Sequence, residues 1–295
     1  MQVVEAIEAL RIARHQLPGR VGLVPTMGAL HAGHRSLVKQ AQAENDSVIT
    51  TIFVNPTQFG PEEDLSNYPH DLSSDLDIFR DAGVDLVFVP DRFSIYPPGY
   101  QTYIEVEDVS QGLEGAHRQG HFRGVATVVA KLFNLVQPDI AYFGQKDAQQ
   151  VVVIRQMVRD LNFPLDIAVC PTVREPDGLA MSSRNAYLKP AERIAASVLH
   201  RALNAAASAY EGGQRNPKML REIMHDVLQA ESLARVEYVS VADAKTLREL
   251  EASSEEPALL LLAVRIGEAR LIDNMLLPLS LNEVGGAMTV LGQVS

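Results

Sequence analysis

Two histidines stand at positions 31 and 34 in the run Pro25-Thr26-Met27-Gly28-Ala29-Leu30-His31-Ala32-Gly33-His34. An apolar run at 21–24 precedes them and a helix-like segment, 35–41, follows. The pattern predicts a strand, a glycine-containing turn and a helix start. The first backbone N–H groups of a helix have no partner inside it, and the helix dipole is positive there. Such a turn favours anions, phosphates above all, and two imidazoles can add hydrogen bonds to the same anion. The small residues let a bulky group come close to the backbone. A lone histidine here would be read as a polar turn residue; the spaced pair is read as a phosphate site. A metal site is the weaker reading, because two histidines are fewer ligands than zinc takes and no cysteine or acidic cluster adjoins them.

Three more clusters follow strand-like or turn-like segments. They are Asn55-Pro56-Thr57-Gln58-Phe59, Gly144-Gln145-Lys146-Asp147 with Gln149 and Gln150 behind it, and Met181-Ser182-Ser183-Arg184-Asn185. Singly, each has an ordinary explanation. Lys146 and Asp147 suit a solvated helix start, Ser182 and Ser183 suit a cap or polar loop, and the glutamines suit a surface. Together they supply hydroxyls, one lysine and one arginine, the groups that hold a triphosphate. Neither a P-loop nor the Gly-x-Gly-x-x-Gly dinucleotide fingerprint is present.

The elements that must position these groups alternate over the first ~170 residues. Strands are predicted at 48–54, 84–89, 139–144 and 165–169, and helices at 71–81, 123–136 and 146–161. Alternation of this kind implies a doubly wound parallel sheet with crossover helices, in which ligands bind at the carboxyl ends of strands. After about residue 172 the pattern changes to helices at 192–210 and 217–231, then strands at 236–241, 258–266 and 269–272. In the first of these helices Ile194, Val198, Leu199, Ala202, Leu203 and Ala206 are expected to form one apolar stripe. The expected architecture is α/β: a Rossmann-like domain over 1–172 and a smaller α+β domain with an antiparallel sheet over 173–295. Beyond Pro278 no strong pattern continues, and that tail is expected to be partly mobile.

Composition narrows the function classes. With 46% hydrophobic and 21% charged residues over 295 positions, the chain reads as an ordinary globular protein. A net charge of −11 argues against a general nucleic-acid binder and means that an anionic substrate must be drawn in by local positive groups. The single cysteine, Cys170, cannot form an intrachain disulfide and is expected to be buried filler. No signal-peptide pattern is visible, and the longest apolar run, 258–264, is too short to span a bilayer, so a cytoplasmic protein is expected.

Taken in order, the decapeptide 25–34, Phe53-Val54-Asn55-Pro56-Thr57-Gln58-Phe59, His121-Phe122-Arg123-Gly124-Val125, Phe143-Gly144-Gln145-Lys146-Asp147 and Asp177-Gly178-Leu179-Ala180-Met181-Ser182-Ser183-Arg184-Asn185 closely resemble one family. It is the pantothenate synthetase (pantoate–β-alanine ligase) family of the His-x-Gly-His nucleotidyltransferase-like superfamily. The resemblance implies that ATP and (R)-pantoate form a bound pantoyl adenylate and pyrophosphate, and that β-alanine then gives pantothenate and AMP. It implies that Met27, Gly28, Ala29, Leu30, His31, Ala32, Gly33 and His34 line the ATP site, with His34 in the proton-donor position. Gly144, Gln145, Lys146, Asp147, Val173, Met181, Ser182, Ser183 and Arg184 would complete it, the Ser-Ser-Arg loop lying over ATP. His31, Lys146, Ser182, Ser183 and Arg184 would share the catalytic load. Gln58 and Gln150 would hydrogen-bond pantoate, Gln58 would also face β-alanine, and Pro25, Met27, Val128, Val129 and Leu132 would line the pantoate pocket. A homodimer and Mg²⁺ are implied too.

Three positions depart from the family pattern. Tyr68-Pro69-His70 stands where Tyr-Pro-Arg is common, and Gln145 where Glu is usual. An acidic pair that can contact Mg²⁺ in relatives is Ser74-Asp75 here, which leaves Asp75 as the candidate metal neighbour. Two rival readings are another nucleotidyltransferase of the superfamily and a nucleotide-sensing scaffold on the same fold. The paired glutamines and the apolar patch at 125–132 suit a small branched hydroxy acid better than the first. Retention of both histidines, Lys146 and the Ser-Ser-Arg loop argues against the second.

Overall fold

The structure is a computed structural model that describes residues 1–61, 63, 65 and 68–278. The described residues form two compact units: those of 1–144 with 149–170, and those of 145–148 with 171–278.

The first unit holds a six-stranded, all-parallel sheet in the order β1-β4-β3-β2-β5-β6. In chain order it runs β1 (Gln2–Val4), α1 (Ile7–Gln16), β2 (Val21–Thr26), α2 (Ala32–Glu44), β3 (Ser47–Ile52), α3 (Leu72–Asp81) and β4 (Leu86–Phe88). Two short helices follow, α4 (Arg92–Ile95) and α5 (Glu114–His117), then α6 (His121–Val136), β5 (Ile140–Gly144), α7 (Ala148–Asp160) and β6 (Asp166–Cys170). Parallel strands cannot be joined by hairpins, so helices make the crossovers and cover both faces. Every residue of β3 is buried, as its β-branched run predicts. Leu23, Ile49 and Phe88 pack in one apolar cluster with Leu10 of α1, Val125 and Val129 of α6 and Ile154 of α7. Val24, Val48 and Val87 pack in another with Leu37, Val38 and Ala41 of α2 and Phe79 of α3. β1 and α1 carry no clear period and are not predicted from the sequence; β1 is three residues long and pairs with β4 at the sheet edge.

From β2 the chain winds to β3 and β4 on one side, and later to β5 and β6 on the other. The end of β2 is therefore the topological switch point, where open α/β sheets bind ligands. The residue 27–34 turn leaves the sheet there.

The second unit holds an antiparallel sheet, β7 (Ala234–Asp243), β8 (Ala258–Ile266) and β9 (Ala269–Leu277), in that order, with α8 (Pro190–Ala195), α9 (Val198–Glu211) and α10 (Pro217–Gln229). The helix expected at 192–210 is broken at Ala196–Ser197. The Ser197 hydroxyl donates to the Ile194 carbonyl at 2.9 Å, a local bond that competes with helical pairing. The break turns Ile194 out of the expected stripe, and it is 74% exposed, while Val198, Leu199, Ala202, Leu203 and Ala206 are buried. The tail beyond Pro278 lies outside the described residues. Among the described residues no helix is long and apolar enough to cross a membrane.

Candidate active site

In the first unit the turn after β2 is held at every step. Thr26 Oγ accepts from Gly28 N at 3.3 Å and donates to the Thr51 carbonyl at 2.6 Å. Gly28 has φ +85°, a left-handed conformation that glycine adopts without strain. A Cβ on it would meet the Asp75 carboxylate at 2.7 Å. Ala29 follows at φ +51°. Asp75, in the first turn of α3 and 3% exposed, accepts from Ala29 N at 3.0 Å and Leu30 N at 2.8 Å.

The two histidines cap α2 reciprocally. His31 Nδ1 accepts from Gly33 N at 3.1 Å, and His34 Nδ1 accepts from His31 N at 3.3 Å. Their ring centroids are 4.2 Å apart. Because each Nδ1 is an acceptor, the proton of each neutral ring sits on Nε2. The turn thus carries two imidazole N–H donors at the start of a helix whose dipole is positive there.

Gln58 ends a 3₁₀ turn, Pro56–Gln58, just after β3. The residue is 8% exposed and its amide is bonded at both atoms: Nε2 donates to Met27 Sδ at 3.1 Å, and Oε1 accepts from Asn55 Nδ2 at 3.0 Å. Asn55 Oδ1 accepts from Thr57 N, the Thr57 hydroxyl and the Tyr96 hydroxyl. So the structure brings Gln58 to Met27. Val128, Val129 and Leu132 lie buried on α6, and Pro25 lies half-buried at the end of β2. The adjacent glutamines on α7 differ in role. Gln149 is buried and ties the 109–114 segment, accepting from Glu114 N and donating to the Val109 and Gly112 carbonyls. Gln150 is half-buried.

Asp75 was the candidate metal neighbour. Its two oxygens instead face backbone N–H groups, and among the described residues no group of three or more His, Cys, Asp or Glu could hold a metal ion. Its evident work is to hold the turn. Cys170 is buried, and burial pushes its thiol up to about 12, which leaves it inert as a nucleophile.

In the second unit the Gln145–Asp147 turn carries Lys146, whose ammonium lies 3.6 Å from Asp147. One side chain of β9 grips this turn. Asn274 Nδ2 donates to the Gln145 carbonyl at 3.0 Å and to the Lys146 carbonyl at 2.8 Å, while its Oδ1 accepts from Gln145 Nε2 at 3.0 Å. Asp273 beside it is paired with Arg174 at 2.6 and 3.0 Å. Val173 and Met181 meet across a tight hairpin, Met181 N donating to the Val173 carbonyl at 2.9 Å. Arg193 braces the hairpin through Asp177 and Glu175, and those bonds hold the Asp177 carboxyl below the usual range. Ser182 caps the 3₁₀ turn Ser183–Tyr187 by accepting from Arg184 N at 3.2 Å.

A family model described as pantoate-beta-alanine ligase matches residues 2–276. The chain belongs to the pantoate–β-alanine ligase family. Membership makes it an enzyme of the ligase class, acting in pantothenate biosynthesis. Among its relatives is the pantothenate synthetase of Roseiflexus sp. (strain RS-1), 61% identical over 94% of this chain and 99% of that one. The enzyme of Herpetosiphon aurantiacus is 58% identical over 94% of this chain and all of that one. Among solved structures, pantothenate synthetase from Thermus thermophilus superposes with a TM-score of 0.88, at 47% identity over 93% of this chain and 99% of that one. The pantoate-beta-alanine ligase from Francisella tularensis, complexed with beta-gamma ATP and beta-alanine, gives 0.77 at 37% identity, covering 94% and 97%.

Several side chains of this ligase hold turns that their motifs alone do not assign to them: Thr26 the 27–34 turn, and Asn55 and His121 the Gln58 turn. Asn274 lay in no motif. The replacements in this ligase also find partners: the Gln145 amide meets Asn274, and a His70 ring nitrogen lies 3.2 Å from the Tyr68 carbonyl.

Proposed function

We propose that this ligase works in two steps on ATP, (R)-pantoate and β-alanine. The pantoate carboxylate attacks the α-phosphorus of ATP, the bond to the bridging oxygen of the β-phosphate breaks, and pyrophosphate leaves a bound pantoyl adenylate. The β-alanine amine then attacks the acyl carbon, loses a proton and expels AMP, giving pantothenate. The observation that carries the reading is the reciprocal histidine cap, which holds two imidazoles at a helix start beside the switch point of the sheet. The ATP and β-alanine named for the Francisella tularensis complex support it.

A carboxylate (pKa about 4) is already ionised at neutral pH, so the first step needs no general base. Its difficulty is bringing an anion in line with a polyanion, which calls for positioning and charge neutralisation. In this reading residues 27–34 hold the nucleotide, with His31 and His34 stabilising developing phosphate charge. Lys146, Ser182, Ser183 and Arg184 supply further charge and donors to the phosphates. Gln58 and Gln150 hold pantoate, with Val128, Val129 and Leu132 as its apolar contacts. Mg²⁺ belongs to the reading only as an ion accompanying ATP. The carboxylates described do not build a site for it, Asp75 being engaged with the turn, and no step is assigned to it. The resemblance also brings a cytoplasmic homodimer into the proposal, and light scattering measures the dimer.

The test is ATP–pyrophosphate exchange with β-alanine omitted. Exchange should require pantoate. Exchange that ignores pantoate would assign the chain to simple nucleotidyl transfer instead.

A further inference from the structure

The motif His121-Phe122-Arg123-Gly124 has no part in the two chemical steps, yet it is wrapped around the Gln58 turn. His121 is 7% exposed, and its Nδ1 lies 2.8 Å from the Gln58 carbonyl oxygen. A carbonyl only accepts, so that nitrogen carries the proton. His121 Nε2 is then the acceptor for Arg118 Nη1 at 3.0 Å. Arg118 is itself fixed by two bonds to Glu63, at 2.9 and 2.7 Å. One turn along α6, the Gly124 carbonyl accepts from Asn55 Nδ2 at 3.1 Å. A Cβ on Gly124 would lie 2.3 Å from the Thr57 carbonyl oxygen and 2.6 Å from Gln58 N, so only glycine allows this approach. Residues i and i+3 share a helix face, and here both of them meet the turn from that face.

We propose that His121 is a positioning residue for pantoate recognition: by holding the Gln58 carbonyl from a helix that Gly124 brings close, it sets where the Gln58 amide points. The inference rests on the reading that Gln58 hydrogen-bonds pantoate. The chain Glu63–Arg118–His121–Gln58 fixes the tautomer as well as the ring, so the donor offered to the carbonyl is not interchangeable with any polar group of similar size.

The experiment is steady-state kinetics on the full-length His121→Asn, His121→Gln and His121→Ala variants beside Gln58→Ala, with pantoate and ATP titrated separately. An asparagine amide can place an N–H where Nδ1–H stands; a glutamine amide reaches toward Nε2. The expected result is a pantoate KM raised about tenfold in His121→Gln and His121→Ala, the cost of one buried hydrogen bond, with the ATP KM within about twofold. His121→Asn should restore most of the loss. His121→Ala in a Gln58→Ala background should add little, since its effect runs through the same amide. Equal pantoate KM values in the Asn and Gln variants, or pantoate and ATP KM values rising together, would overturn the proposal. If His121→Ala fails to fold, the Asn–Gln pair decides alone. An unchanged pantoate KM in Gln58→Ala would overturn the underlying reading of Gln58. A raised one, with His121→Gln silent, would overturn only the role of His121.

Discussion

The turns at 27–34 and at 145–147, each given phosphate work in the proposed function, are held in opposite ways. The first is held many times over. Thr26 ties its start, the two histidines cap its end, and Asp75 grips the middle from 46 positions away. In the second, one neutral side chain, Asn274, makes three bonds to the turn from 128 and 129 positions away. A turn that must keep two left-handed residues in line, Gly28 and Ala29, needs several restraints. A turn that only has to project a lysine can be set by one. The difference teaches where each site is fragile: the histidine turn through its chemistry, the lysine turn through its support.

The largest effect should come from removing chemistry where support is redundant. His34→Ala is expected to lower turnover by ~10²–10⁴-fold, the range for a lost proton donor or charge-stabilising group. Its lost cap should cost only about 1 kcal/mol of stability, because Thr26, Asp75 and His31 still hold the turn. Turnover and thermal unfolding measured together test this; near-normal turnover would remove His34 from the mechanism.

Asn274→Ala should come next. It leaves two carbonyls and the Gln145 amide unpaired in a place that is 4% exposed. We expect kcat/KM for ATP to fall ~10–100-fold while the pantoate KM stays near normal. If ATP kinetics hardly change, the lysine turn has support beyond Asn274 and the contrast between the two turns fails.

Asp75→Asn should be milder still. The amide keeps one acceptor, so one of the two backbone N–H groups loses its partner, for about 2 kcal/mol and roughly a tenfold loss of turnover. Raising Mg²⁺ should not restore activity. Restoration by Mg²⁺ would show that the carboxylate serves the metal rather than the turn.

The same contrast explains what could be read in the sequence. The parallel sheet was legible because β3 and β5 are covered on both faces and read as continuous apolar runs, and the histidine turn because His31 and His34 bond within three residues of themselves. Ile194 was misplaced because a helical stripe carries no mark of the Ser197 hydroxyl bond that breaks it. Asn274 was invisible for a different reason. Its partners are carbonyls brought to it by folding, and an asparagine in a strand announces nothing about the turn it will meet. His121 lies between these cases: its motif was visible, its task was not.

His121 also gives the smallest effect near neutral pH, and it sharpens the contrast because a distant side chain on another element reaches the Gln58 carbonyl as Asn274 reaches the lysine turn. Burial, and then the Arg118 guanidinium, push the imidazole down to about 4, while the hydrogen bond to the Gln58 carbonyl, and then Glu63 and Glu114, pull the other way. The ordinary value is 6.5. Above that pH both folded and unfolded chains hold His121 neutral, so it adds no pH dependence. Between about 6.5 and 4 the unfolded chain takes up a proton that the folded chain refuses, so stability falls as pH falls. The full loss, reached below the folded value, is about 3 kcal/mol. Other groups titrate in this window, so the quantity to measure is the stability difference between the native protein and His121→Asn. It should be level above about pH 6.5 and shift by about 3 kcal/mol in favour of the variant by pH 4. A difference that stays constant would mean that His121 is charged, or reached by water, in the folded protein, and a charged ring would no longer offer Arg118 an acceptor.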